Sequence, residues 1–315
     1  MADALSQGAR SLKRNKIKQD SRFASAVIYT FIGIVSLITL YPFIFIASNS
    51  ISNPIESAAN TIWILPKGPL SLKAYQQIFT SDTIGRAFLN SVFFTVLITF
   101  LNVFNSVLAG YALSKKGLFG RKFIIILIMI PMFFHAGLIP TFITITNLGM
   151  FNSLWAIVLP SVCGIWNIIL ARTYINNLPI SLKEAAIIDG ATDFQVITNV
   201  IIPLSKPIIA VLALYTALGV WNAWFNFLIY LPSHAEWHPL QLFLTKCLIW
   251  GNLNAVLNPS AEMDPELIKN KLLLAAVNSQ LKYAVVMVAS IPVIMIYPFV
   301  QKYFIQGALL GSLKE

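Results

Sequence analysis

The chain has 315 residues, 57% of them hydrophobic and only 11% charged, with 22 Lys and Arg against 12 Asp and Glu. A soluble protein of this length carries about a quarter charged residues, so the composition excludes one and identifies a polytopic membrane protein. The basic excess alone would suit nucleic acid, but its placement along the chain assigns it to membrane topology.

Residues 1–23 read as a basic tail. The apolar run Phe23 to Ala47 is longer than the hydrophobic region of a signal peptide and lacks a small-x-small exit, so it reads as a first span, about Ala24 to Ile46. About 20 apolar residues cross the hydrocarbon core. On that scale the second span is Ala87 to Leu113. The uncharged run Phe123 to Ala171 is too long for one crossing, and the polar break Thr146 to Ser153 divides it into spans three and four. The fifth span is Pro207 to Leu231 and the sixth Tyr283 to Phe304. The expected fold is an all-α integral membrane domain of six transmembrane helices, residues 24–306, with a short tail at 307–315.

Six crossings put both termini on one side. That side, counting the tail, the 2–3 loop, the 4–5 loop and the C-terminus, holds fifteen Lys and Arg against seven on the other. The positive-inside rule makes it cytoplasmic, and in the tail the same charge suits anionic membrane lipid. Two long segments, 47–85 and 232–282, then lie outside the cell. Loops of that length usually carry function. The stretch Pro239 to Leu244 in the second has an amphipathic pattern suited to the membrane interface.

The cytoplasmic 4–5 loop, residues 173–206, is the most informative part of the chain. Ser181 and Glu184 have capping-box spacing, Gly190 can end a helix in the left-handed conformation, and Thr192 and Gln195 give a second box. Pro203 limits the second helix. The expectation is two short helices hinged at a glycine.

Other chemistry is missing from the sequence. No glycine-rich phosphate loop is present, since Gly117 to Lys122 has the wrong spacing. Cys163 and Cys247 are far apart and have no metal-ligand or redox spacing. The spans hold no acidic residue with which to bind a coupling ion; His135 is their only titratable candidate. No catalytic triad or metal site can be built from such spans. The sequence instead offers a polar and aromatic group in the fifth span. As a continuous helix it would place Trp221, Trp224 and Phe225 on one face, with Asn222 and Asn226 beside it. Amides that bond hydroxyls beside an aromatic wall suit a solute path. The same residues suit an interfacial aromatic belt or helix–helix contacts.

The 4–5 loop resembles the EAA loop of type I ABC importer permeases: E-A-A, three residues, G, nine residues, then I-x-L-P. Here it reads Glu184-Ala185-Ala186, Gly190, nine residues, then Val200-Ile201-Ile202-Pro203. Further segments resemble the maltose-type carbohydrate permeases, closest to the polysaccharide and oligosaccharide subgroup. They are Gly137 to Thr141, Pro203 to Pro207, Trp221 to Phe225, Pro239 to Gln241, Tyr297 to Phe304 and Gly307 to Lys314. Ala136 departs from the subgroup's usual Gly. The resemblance implies a non-catalytic permease subunit of a bacterial cytoplasmic membrane, working with a second, homologous permease on a sugar, most often an oligosaccharide. It implies two ATPase subunits, which would carry the ATP and Mg, and an extracytoplasmic solute-binding protein. No cofactor is expected on this chain. Glu184, Ala185, Ala186, Asp189, Gly190 and Pro203 become candidates for ATPase coupling, and His135, Trp221, Asn222, Trp224, Phe225 and Asn226 for the substrate path. The alternative is a secondary carrier for a small polar solute.

Overall fold

A computed structural model of the protein describes residues 22–54, 65–66, 68–134, 136–249, 280–298 and 301. The described residues are helical and contain no strand. Helix α1 (Arg22–Ile51) is apolar on every face and buries little, as a lipid-facing helix does. After it come a short α2 (Lys73–Thr80) and then α3 (Asp82–Ser114). At 1.5 Å per residue α3 is ~50 Å long, well beyond a hydrocarbon core of about 30 Å.

Next are α4 (Arg121–Phe133) and α5 (Leu138–Asn147), which meet at 120°. The fourth expected span is α6 (Trp155–Val162) followed by α7 (Ile165–Asn176). Then come α8 (Ile180–Ile188) and α9 (Asp193–Leu204), the latter with a π-helical stretch at Ile197–Ile201. Helix α10 (Lys206–Trp221) turns 80° away from α9. The rest is α11 (Phe225–Tyr230), α12 (Leu240–Ile249) and α13 (Gln280–Pro298). Among the described residues four helices are long and apolar enough to cross a membrane, and up to six spans result if each bent pair counts as one.

Helix α3 is the spine, packed along α7 and α10. Its approach to α7 depends on small residues, as is usual between membrane helices. A Cβ on Gly110 would lie 2.9 Å from the Ala171 Cβ and from the Arg172 backbone nitrogen.

Three expectations are corrected. The 148–154 turn stands where a break was expected, but the third expected span also bends between α4 and α5, and Pro131 weakens the helix just before that bend. The fifth expected span is not continuous: α10 stops at Trp221 and α11 starts at Phe225. The stretch Pro239 to Leu244 is no interfacial strip. Leu240 and Phe243 pack with Ala74, Ile78, Leu281 and Val285, while Leu242 packs with Phe94 and Phe227 in a second cluster. The start of α12 thus packs into two separate apolar clusters and is held inside the fold.

Candidate functional site

The 4–5 loop folds as two short helices around Gly190. Helix α8 begins two residues earlier than a cap at Ser181 would place it. Pro179, with φ −54°, is the residue before it, and the Ser181 side chain caps nothing. The Ser181–Glu184 box is therefore not formed. The helix ends as its glycine requires. Gly190 has φ +80°, its N–H donates to Ile187 O, and Ala191 N–H donates to Ala186 O at 2.9 Å. That pair of bonds is a Schellman motif, which satisfies the last carbonyls of the helix. The second box is formed. Thr192 N–H donates to Gln195 Oε1 at 2.8 Å, and Gln195 N–H donates back to Thr192 Oγ1. Pro203 lies in the last turn of α9, just after the π-helical stretch, and the helix ends at Leu204.

The exposed surface of this loop carries large apolar side chains. Ile188 is 85% and Phe194 70% exposed, with Ile180 and Ile187 also open. Glu184, Ala185, Asp189 and Gly190 are exposed among them, while Ala186 packs inward beside Tyr111, Ile175, Val196 and Ile201.

Polar contacts join the loop to the spans. Lys115, one residue past α3, donates to Asp193 Oδ1 in the first turn of α9. The Tyr111 hydroxyl donates to the same oxygen at 3.3 Å, and the Lys115 ammonium lies 5.2 Å from the Tyr111 ring centre. The hydrogen bond from Lys115 holds the Asp193 carboxyl below its ordinary pKa, and the same bond raises Lys115. Lys183 on α8 donates to Ile175 O at the end of α7 at 2.9 Å, and burial lowers its pKa. Arg121 and Arg172 both donate to Leu113 O, satisfying a terminal carbonyl of α3.

The other candidates do not form one face. Trp221 is 6% exposed, donates its indole N–H to Ala289 O at 3.1 Å and meets the Phe88 ring edge-on. Asn222 is exposed where α10 ends; its Nδ2 donates to Leu218 O, and its Oδ1 lies 3.5 Å from Gln241 Nε2. Trp224 is half-buried in the cluster around Phe94 and meets Phe225 edge-on. Phe225 and Asn226 are exposed. His135 lies outside the described residues.

A polar node lies deeper in the bundle. Asn102 Oδ1 accepts from Asn167 Nδ2 at 2.7 Å, and Asn167 also donates to Thr216 Oγ1 at 2.9 Å. Asn102 Nδ2 donates to Ser161 O at 2.8 Å. That carbonyl is freed by the interruption at Cys163 and Gly164, the two non-helical residues between α6 and α7. A Cβ on Gly164 would lie 2.8 Å from Asn102 Nδ2, so any larger residue there would have to displace the Asn102 amide. Asn102 and Gly164 lie twelve residues before the last residues of α3 and α7 respectively, ~18 Å at 1.5 Å per residue, so the node and the gap sit at one level of the bundle. Cys163 is exposed beside Asn105 Nδ2, 3.3 Å away, and Trp166 is 56% exposed on the next turn. The sequence signal for this region was the Asn content of otherwise apolar runs and the pairing of Pro160 with Gly164.

A family profile described as "Binding-protein-dependent transport system inner membrane component" matches residues 103–309. The polygalacturonan/rhamnogalacturonan transport system permease protein YtcP of Bacillus subtilis is 36% identical over 299 residues, covering 93% of this chain and 99% of that one. Protein LplC of the same organism is 34% identical, covering 90% of this chain and 92% of its own. Among solved structures, a bacterial ABC transporter involved in import of the acidic polysaccharide alginate has a chain 31% identical to this one. It aligns with a TM-score of 0.79 over 91% of this chain and 98% of that one.

Proposed function

The chain belongs to the family of binding-protein-dependent transport system inner membrane components, and from that premise we propose that it is one half of a saccharide path driven by a separate ATPase. The single observation carrying this reading is the exposed apolar surface of the α8–α9 loop, with Ile188 and Phe194 at its centre. An apolar patch outside the lipid needs a protein to cover it. The matching sequence pattern makes that protein the ATPase, with Glu184, Ala185 and Asp189 in the contact and Gly190 and Pro203 shaping it. This puts the loop, and both termini, in the cytosol, as the basic residues suggest. A second, homologous permease completes the path, and a solute-binding protein delivers to the opposite side.

The transported solute is a sugar of the oligosaccharide class. Support comes from relatives named for polygalacturonan, rhamnogalacturonan and alginate transport. Non-helical backbone at membrane depth is tolerated only inside protein or against a water-filled cavity. The open side of the Cys163–Gly164 interruption, with Asn105 and Trp166, therefore faces the path rather than lipid. Asn222, Phe225 and Asn226 sit nearer the outer end and line its entrance.

Purification of the assembled transporter from native membranes, followed by reconstitution into vesicles, tests this reading. An ATPase and a binding protein should co-purify, and oligosaccharide uptake should require ATP inside the ATPase-bearing compartment. Uptake without an ATPase, driven by an ion gradient, would establish the secondary carrier instead.

A further inference from the structure

We propose that Lys115 and Asp193 form a latch through which movement of the α8–α9 loop is passed to α3, making them positioning residues for coupling rather than part of the docking surface. This rests on the ATPase reading above. The residues lie 78 positions apart in sequence, yet they join the first turn of α9 to the end of α3. Asp193 rides on a rigid mount, because the Thr192–Gln195 capping box fixes that turn. Lys115 is equally constrained. Its ammonium lies over the ring of Tyr111, and Tyr111 is buried at the centre of the loop's small core while its hydroxyl reaches the same carboxylate oxygen. Arg121 and Arg172 brace Leu113 O two residues before Lys115, so displacement of Lys115 moves the end of α3 with it.

Helix α8 has its own tether, from Lys183 to Ile175 O on α7. The loop thus holds two neighbouring spans: α8 reaches α7 through Lys183, while α9 reaches α3 through Asp193 and α7 through Leu204 O, which accepts from the Tyr174 hydroxyl at 3.2 Å. The exposed apolar residues Ile187 and Ile188 lie on α8, while Phe194, also exposed, neighbours Asp193 on α9, so recovery of the ATPase is the readout that separates a latch from a docking contact. An exposed ion pair adds little to folding. Its removal should therefore leave insertion intact and appear in coupling.

The test uses the complete transporter in vesicles, with transport and ATP hydrolysis measured on the same preparation. Lys115→Ala and Asp193→Ala should each reach the membrane and recover the ATPase at wild-type levels. The amount of solute moved per ATP should fall at least about fivefold, the lower end of coupling between sites. The double variant should be no worse than either single one, because both remove one contact. Lys115→Arg should retain coupling. High salt should weaken coupling in the wild type and leave the variants unchanged, since salt screens exposed pairs. Unaltered transport per ATP in both single variants would overturn the latch alone. Loss of ATPase recovery would also overturn it, by placing the pair in the docking surface. A wild-type chain that binds no ATPase would overturn the importer reading and the latch together.

Discussion

Gly110 of α3 and Ala171 of α7 touch so closely that a Cβ on the glycine would lie 2.9 Å from the alanine Cβ and equally near the Arg172 backbone nitrogen. Neither neighbour can swing aside, because one is a side chain without rotamers and the other is main chain. The contact sits four residues from the end of α3, beside Leu113, whose carbonyl accepts from both Arg121 and Arg172. Gly110→Leu should therefore separate α3 from α7 at a cost of about 1–3 kcal/mol, the scale of core overpacking. The measurement is thermal unfolding in detergent, with Gly219→Leu as control, since a Cβ at Gly219 meets nothing within 4 Å. Equal melting temperatures for the two variants would mean that the α3–α7 approach is not constrained.

The loop separates backbone geometry from docking chemistry. Gly190 has φ +80°, so Gly190→Val should cost about 1–2 kcal/mol, the left-handed penalty of a residue with a Cβ. It should reduce both ATPase recovery and transport at matched membrane levels. Thr192→Ala removes a formed cap and should cost about 0.5–2 kcal/mol. Glu184→Ala breaks no cap, because the Ser181–Glu184 box is absent. Any loss of ATPase recovery in that variant reports the docking surface itself. The check is a pull-down of the ATPase beside transport; full transport with normal recovery in Gly190→Val would remove this loop from coupling.

What the sequence reveals follows from how local the cause is. Gly190 and the Thr192–Gln195 box act within one turn, and both form as the spacing predicts. The Ser181 box fails for an equally local reason: Pro179 opens α8 two residues early and leaves Ser181 inside it. The shared face of Trp221 and Trp224 depends on helix continuity, which ends at Trp221. The Asn102 node joins residues 49 to 114 positions apart, so periodicity carries no trace of it. The burial of α12 was hidden likewise, because its partners Ala74 and Leu281 flank it at great distance in sequence.

His238 makes the segment between α11 and α12 sensitive to acid. Its Nε2 lies 3.0 Å from Leu231 O, which can only accept, so that nitrogen carries the proton; Nδ1 then accepts from Lys246 Nζ at 3.2 Å. The ring is neutral in this arrangement. Burial lowers its pKa below the usual value, and Lys246 lowers it further, against the raising influence of Leu231 O and Glu236. A depressed histidine pKa means that the unfolded chain takes up the proton first. The stability it contributes is present above the unfolded value of about 6.5 and is lost as the pH falls toward the lower folded value. Melting temperature should fall on acidification through that window. His238→Gln, which keeps a donor and an acceptor without titrating, should flatten the profile. An unchanged profile in the variant would assign the acid sensitivity elsewhere.

Cys163 reports which medium the interrupted helix faces. A thiol reacts with charged reagents as the thiolate, which requires water. Cys163 is exposed in the single subunit, beside Asn105, at the two-residue gap before α7. The carbonyls of Ser161 and Val162 at the gap accept from Asn102 and Asn105, and interrupted backbone with polar side chains of this kind is kept away from lipid. The expected result, in a Cys247→Ser background, is modification of Cys163 in the assembled transporter by a membrane-impermeant charged thiol reagent. The reaction should slow when an oligouronide and the binding protein are present, because a solute in the path shields the gap. Trp166→Ala should raise the solute concentration needed for that protection, since an aromatic wall beside an amide is what a sugar ring contacts. Asn102→Ala, by contrast, should alter the reactivity of Cys163 even without solute, since Asn102 holds the Ser161 carbonyl on the other side of the gap. A Cys163 inert to the charged reagent yet reactive to a small apolar one would place this surface against lipid, and the path would then have to run along the Asn222 end of the bundle alone.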